Sequence, residues 1–170
     1  MSHPIAAPDW RGIILAEHAE LRAYAGRLTA DLSDADMLCQ PIAGITLNHP
    51  ALILCHLLAY APVLEAILLG EPVEDPISHR HGRGSTPQTD PAHYPPRVEL
   101  IAEFDSSYAR AAHAFERVSD HWLGTATPIP RWVERFPTIA HLPGQFLVKH
   151  FATHLGQLSA WRRAMGRPAV

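Results

Sequence analysis

Histidine is the residue to follow in this chain, with 12 among 170 residues. His150 and His154 are four positions apart, so on a helix they project from one face, one turn apart. His56 stands in an apolar run with Leu52, Ile53, Leu57, Leu58, Ala59 and Tyr60. An imidazole turned toward an apolar interior needs a partner for each polar ring nitrogen, and a dry core does not supply three such partners cheaply. A divalent metal does, because neutral imidazole is the commonest transition-metal ligand. Three protein ligands leave coordination positions for water or substrate, the pattern of a catalytic rather than a structural site. The competing reading is three separately hydrogen-bonded core histidines. The segment His150–His154 carries Phe151 where zinc-protease helices place a catalytic Glu, so no peptidase chemistry follows from it.

Further candidates surround this trio. His18 falls on an inward helical stripe, where it could line a pocket, donate a proton or simply pack. Gln157, three positions after His154, suits a contact to a metal ligand, to a ligand-bound water, or between helices. The stretch His79 to Thr86 is basic and contains Gly82 and Gly84, so its backbone amides with Arg80 and Arg83 could bind a carboxylate. A solvated loop is the alternative there, and the spacing and terminal Lys of a phosphate-binding loop are missing. His79 and His81 have no obvious third ligand. Glu65 and Asp105 form no recognisable acid–base pair, and Glu65 suits an ion pair with an Arg near the bundle end. Ser85 is not in a nucleophile-elbow context, and His113 lies off its helix's apolar face.

Four long helical patterns must position these groups. The first is expected from Trp10 to Leu32, capped by Asp9, with Ile14, His18, Leu21, Ala25, Leu28 and Leu32 on one face. The second is expected from Asn48, read as its cap, to Gly70, with Pro50 in the first turn. Pro62 denies a hydrogen bond to the Leu58 carbonyl, which predicts a break just past His56. The third runs from Pro95 or Pro96 to about Trp122 with Phe104, Tyr108, Ala111 and Phe115 in its stripe. The fourth runs from about Pro143 to Met165, its stripe holding Leu147, His150, His154, Leu158 and Trp161. Long irregular connections, 71–96 and 124–143, join the second helix to the third and the third to the fourth, and Arg131 to Phe136 suits a helical turn. No strand is expected, which makes the chain an all-α four-helix bundle, one domain over residues 1–170.

Composition excludes several classes. With 14 Lys and Arg against 17 Asp and Glu and a net charge of −3, the chain lacks the electrostatic footprint of a nucleic-acid binder. Ala51 to Leu69 is apolar enough to raise the membrane question, but His56, Pro62 and Glu65 interrupt it, and a charge in lipid costs about 2.5 kcal/mol. A largely buried bundle helix is the better reading. Met1 to Pro4 shows no secretory pattern, and Cys39 and Cys55 in apolar stretches suit free thiols of a cytoplasmic protein. Trp132, Phe136 and Ile139 in the last connection exceed what a small bundle needs to bury, which suggests a homodimer.

The stretch Asn48-His49-Pro50-Ala51-Leu52-Ile53-Leu54-Cys55-His56-Leu57 resembles the second-helix signature of the DinB-like (DinB/YfiT) metalloenzymes. His150-x-x-x-His154-x-Gly156-Gln157-Leu158, followed by Arg162, Arg163 and Gly166, resembles that family's last helix. The connection Gly82 to Pro87 with Tyr94-Pro95 is similar to one found in a branch of the family, so the likeness extends over nearly the whole chain. The resemblance implies a four-helix bundle holding a nickel- or zinc-type ion on His56, His150 and His154. It also implies thiol-dependent chemistry, since characterised relatives are mycothiol-dependent maleylpyruvate isomerase and bacillithiol S-transferases. The expected activity is therefore S-transfer or isomerisation with a low-molecular-weight thiol and an electrophilic substrate. A metal-activated-water hydrolase and a non-catalytic metal-binding or stress-response bundle are the rivals.

Overall fold

The computed structural model describes residues 9–170. Met1 to Pro4, read above for targeting, lie outside them. Helix α1 spans Trp10–Thr29 and begins where the Asp9 carboxylate accepts from the Gly12 amide at 2.9 Å. It stops short of Leu32 because Ser33 and Asp36 draw the chain into a turn: the Ser33 amide donates to Asp36 Oδ2 at 2.7 Å. Leu32 nevertheless stays in the core.

The second helical pattern is two helices, α2 (Pro50–Leu58) and α3 (Ala61–Leu69), with the break at Ala59 and Tyr60, just past His56 as Pro62 requires. Gly70 closes α3 with φ +76°, a left-handed conformation that favours glycine. The cap of α2 differs from expectation. His49, not Asn48, caps α2: its Nδ1 accepts from the Leu52 amide at 3.2 Å, and its Nε2–H donates to the Gln88 carbonyl at 3.0 Å. Asn48 is thereby left to reach the last helix.

Helix α4 spans Arg97–Arg117 and ends before Trp122, since Val118 is extended and Ser119 starts a fresh turn, α5 (Asp120–Leu123). Arg11 stabilises this ending by donating to the carbonyls of Phe115 and Val118, groups with no acceptor role left inside the helix. Helix α6 (Pro130–Val133) fulfils the expected turn after Arg131, and a single antiparallel bridge between Ala126 and Thr138 closes that connection. Helix α7 (His141–Pro143) leads into a π-wound segment, Gly144–Lys149, and then α8, His150–Ala164.

No strand occurs among the described residues, and the fold is all-α. Helix α4 packs on α1, α2 and α3, while α8 packs on α1 and α2, so the long rods enclose one core. Leu52, Ile53, Leu54, Leu57, Leu64 and Ile67 from the broken rod fill its middle. The apolar stretch Pro50–Leu69 is thus mostly buried inside the bundle. Both cysteines are free, but only Cys55 is buried; Cys39 is half-exposed. Glu65 pairs with Arg110 at 3.1 Å and Asp105 with Arg22 at 2.6 Å, structural roles for both carboxylates. Trp132 and Ile139 are buried in the chain's own core and Phe136 is half-buried. Of the three residues expected to cover a partner, only Phe136 is thus left partly accessible.

Candidate metal centre

The helix break, the π turn and the 71–96 connection together make the site. His56 occupies the last turn of α2, directly before the break. His150 opens α8 where the wide π turn ends, and π turns often accompany functional positions. His154 follows one turn later. One ring nitrogen from each of His56, His150 and His154 lies within 4.8 Å of the other two.

Hydrogen bonds on the far side of two rings fix which nitrogen faces the site. His56 Nδ1–H donates to the His81 carbonyl at 2.7 Å, so its Nε2 keeps the lone pair. His154 Nδ1–H donates to Gln157 Oε1 at 3.1 Å, and the same oxygen accepts from Asn48 Nδ2 at 3.1 Å. Gln157 therefore does two of the things considered for it, steadying a triad histidine and linking helices.

His56 Nε2 and His150 Nε2 stand 3.1 Å apart. Two ligands each about 2.1 Å from one ion are about 3 Å apart when they subtend roughly a right angle, so this spacing suits a shared cation. His150 Nδ1 is buried with no hydrogen-bond partner among the described residues.

All three rings are held neutral, as metal ligation requires. Burial is the main cause in each case. It lowers the pKa of His56, takes His150 down to about 3 with the neighbouring His154 and His56 contributing, and takes His154 down to about 4 with His56 contributing. The donor set and its spacing fit a divalent ion.

Against the same fold, the family model of the DinB superfamily matches residues 13–158. The chain belongs to the DinB superfamily. Comparison with curated proteins and with solved structures gives no match. Within the superfamily match lie all three histidines of the cluster, which is compatible with metal binding.

The other candidates divide cleanly. His18 is buried, donates Nδ1–H to the Leu147 carbonyl at 2.9 Å and packs against Phe151 and Tyr108, away from the clefts beside the triad. Arg80 turns to His81 Nε2 at 3.0 Å and lines neither cleft, whereas Arg83 lines both. The 79–86 stretch is anchored rather than free: His81 stacks on Tyr94, and Gly82 sits where a Cβ would meet the Pro76 carbonyl at 2.4 Å. His79 accepts from the His81 amide at 3.2 Å and joins no metal-ligand cluster among the described residues. His113 is exposed.

Two clefts border the triad. A cavity of about 440 Å³ has Tyr60, Arg83, Arg131, Arg135, Trp132 and Phe146 in its wall together with His56 and His150. A smaller one of about 160 Å³ is walled by Asn48, Gly82, Arg83, Gly84 and Ser85 with His56 and His154. Sequence reasoning misses Tyr60, whose ring centroid is 4.8 Å from that of His150 and 5.1 Å from that of His56. Its place four residues after His56 was the available signal.

Proposed function

We propose that the protein is a metal-dependent thiol S-transferase or isomerase of the cytoplasm, with zinc or nickel held by His56, His150 and His154. The observation that carries the reading is three neutral imidazoles gathered from two helices beside clefts on both sides. A bound dication supplies the Lewis acidity that lowers a thiol pKa from about 8.5 into the neutral range.

The chain's own residues do the rest. The His81 carbonyl and Gln157 hold two rings in the tautomer that presents a lone pair. Tyr60, its hydroxyl pKa raised by burial, remains a proton donor at neutral pH beside His150. In S-transfer the thiol proton is released to solvent, the sulfur electron pair forms a bond to the electrophilic carbon, and the leaving group departs with its bonding pair. In isomerisation the sulfur pair adds to one carbon of a conjugated C=C bond while the π pair shifts onto the conjugated carbonyl. After rotation about the resulting single bond that pair returns, the sulfur–carbon bond breaks, and the departing thiolate regains its proton from solvent.

The test is turnover by metal-loaded protein of a chloro-dinitrobenzene or similar electrophile with glutathione, bacillithiol or mycothiol. Thiol-dependent loss of the electrophile, abolished in His154→Ala, is expected. Thiol-independent hydrolysis would instead support activated water, and silence with every thiol would support a non-catalytic bundle.

A further inference from the structure

We infer that the 440 Å³ cavity beside His56 and His150 is a subsite for a flat, unsaturated or aromatic carboxylate, with Arg83 and Arg135 holding the carboxylate. Its place as the electrophile's subsite rests on the thiol-transfer reading, while the binding itself does not. Three guanidinium groups share this wall and none of its lining residues is acidic, in a chain whose net charge is −3. The positive patch is therefore local. Arg131 is already committed to Asp75 through contacts of 2.6 and 2.7 Å. Among the described residues no carboxylate pairs with Arg83 or Arg135. Two exposed guanidiniums without a carboxylate partner, that of Arg135 lying 5.2 Å over the Phe136 ring, match a carboxylate in charge and in the geometry of their paired N–H groups.

The remaining wall is aromatic and layered. Tyr60 and Phe146 are stacked with centroids 5.5 Å apart and planes inclined by 18°, and Trp132 lies 4.9 Å from Phe146. Such rings favour a planar guest by offset stacking, and the volume is within the range of small-molecule sites. Because Tyr60 also touches the triad, a guest anchored at the arginines and lying on these rings extends toward His56 and His150.

Binding of trans-cinnamate, its methyl ester and phenyl phosphate to the metal-loaded full chain, without thiol, by titration calorimetry, tests this. Cinnamate is expected to bind about tenfold more tightly than the ester, and Arg83→Gln and Arg135→Gln are each expected to remove most of that advantage at unchanged metal content. Equal affinity for acid and ester would overturn the inference, as would an advantage that survives both substitutions. Tighter binding of phenyl phosphate would overturn the carboxylate assignment. No turnover enters this readout, so failure of the thiol assay and failure of the subsite are separate results.

Discussion

Gln157 Oε1 accepts from both His154 and Asn48, so a single amide sets the orientation of one triad ring. Partners of this kind typically tune affinity rather than create it, by about 10–100-fold. Gln157→Leu is accordingly expected to weaken metal binding by about that factor at full stoichiometry, in a competition titration against a chelating dye. An unchanged affinity would make Gln157 only a helix-to-helix contact. His18 carries a different prediction. Burial lowers its pKa, so the folded chain favours the neutral ring, and protonation of the unfolded chain near pH 6.5 draws stability away as pH falls. His56, His150 and His154 contribute in the same direction, so His18→Leu should lessen, without abolishing, the fall in stability between about pH 6.5 and pH 5, measured by urea unfolding across pH. A wild-type profile flat over that range contradicts it. The triad histidines were legible because polar rings fell on apolar stripes at helical spacing. The His81 carbonyl was not, since a backbone acceptor leaves no trace in residue type. Asn48 and His49 both suit a cap, and only the packing of α8 against α2 sends Asn48 to Gln157.

Between residues and fold stand the elements that aim them. Pro62 breaks the second rod directly after His56, and the π turn ends directly before His150. The proline made the first legible; nothing in Gly144 to Lys149 distinguishes a π turn from an α turn before packing decides. Likewise Arg131, Arg135 and Trp132 reach the site because Trp132 of α6 packs on Tyr60 and on Phe146 of the π segment while Arg131 pairs with Asp75, a placement without periodic signal in the sequence. The 71–96 connection is held to the site through His49 to Gln88 and His56 to His81. Gly82 anchors it, since a Cβ there would sit 2.4 Å from the Pro76 carbonyl, 2.9 Å from that of His79 and 3.1 Å from that of Ile77. Gly82→Ala is expected to shift the His81 carbonyl, costing about 1–3 kcal/mol of stability and weakening metal affinity several-fold. Native metal affinity with lowered thermal stability would separate the loop from the site.

At the scale of the molecule, a charge network ties the end of α8 to the end of α1. Arg162, only 2% exposed, pairs with Asp31 and donates to the Leu28 carbonyl, while Arg167 bridges Asp31 and Asp36. Asp31→Ala leaves that guanidinium buried without its counter-charge, and a loss of about 3 kcal/mol in denaturant unfolding is expected. Little loss would assign the stability to packing alone. Asp36 is held down to about 2, chiefly by the Ser33 hydroxyl and also by Arg167. The unfolded carboxyl takes its proton near pH 3.9, so this contribution is present above that value and is lost as pH falls toward 2. Both clefts nevertheless meet at the triad. Anomalous diffraction from a crystal grown with zinc tests its metal binding most directly: one peak about 2.1 Å from a nitrogen of each of His56, His150 and His154 is predicted. Zinc bound elsewhere, or no peak between these rings, would contradict it.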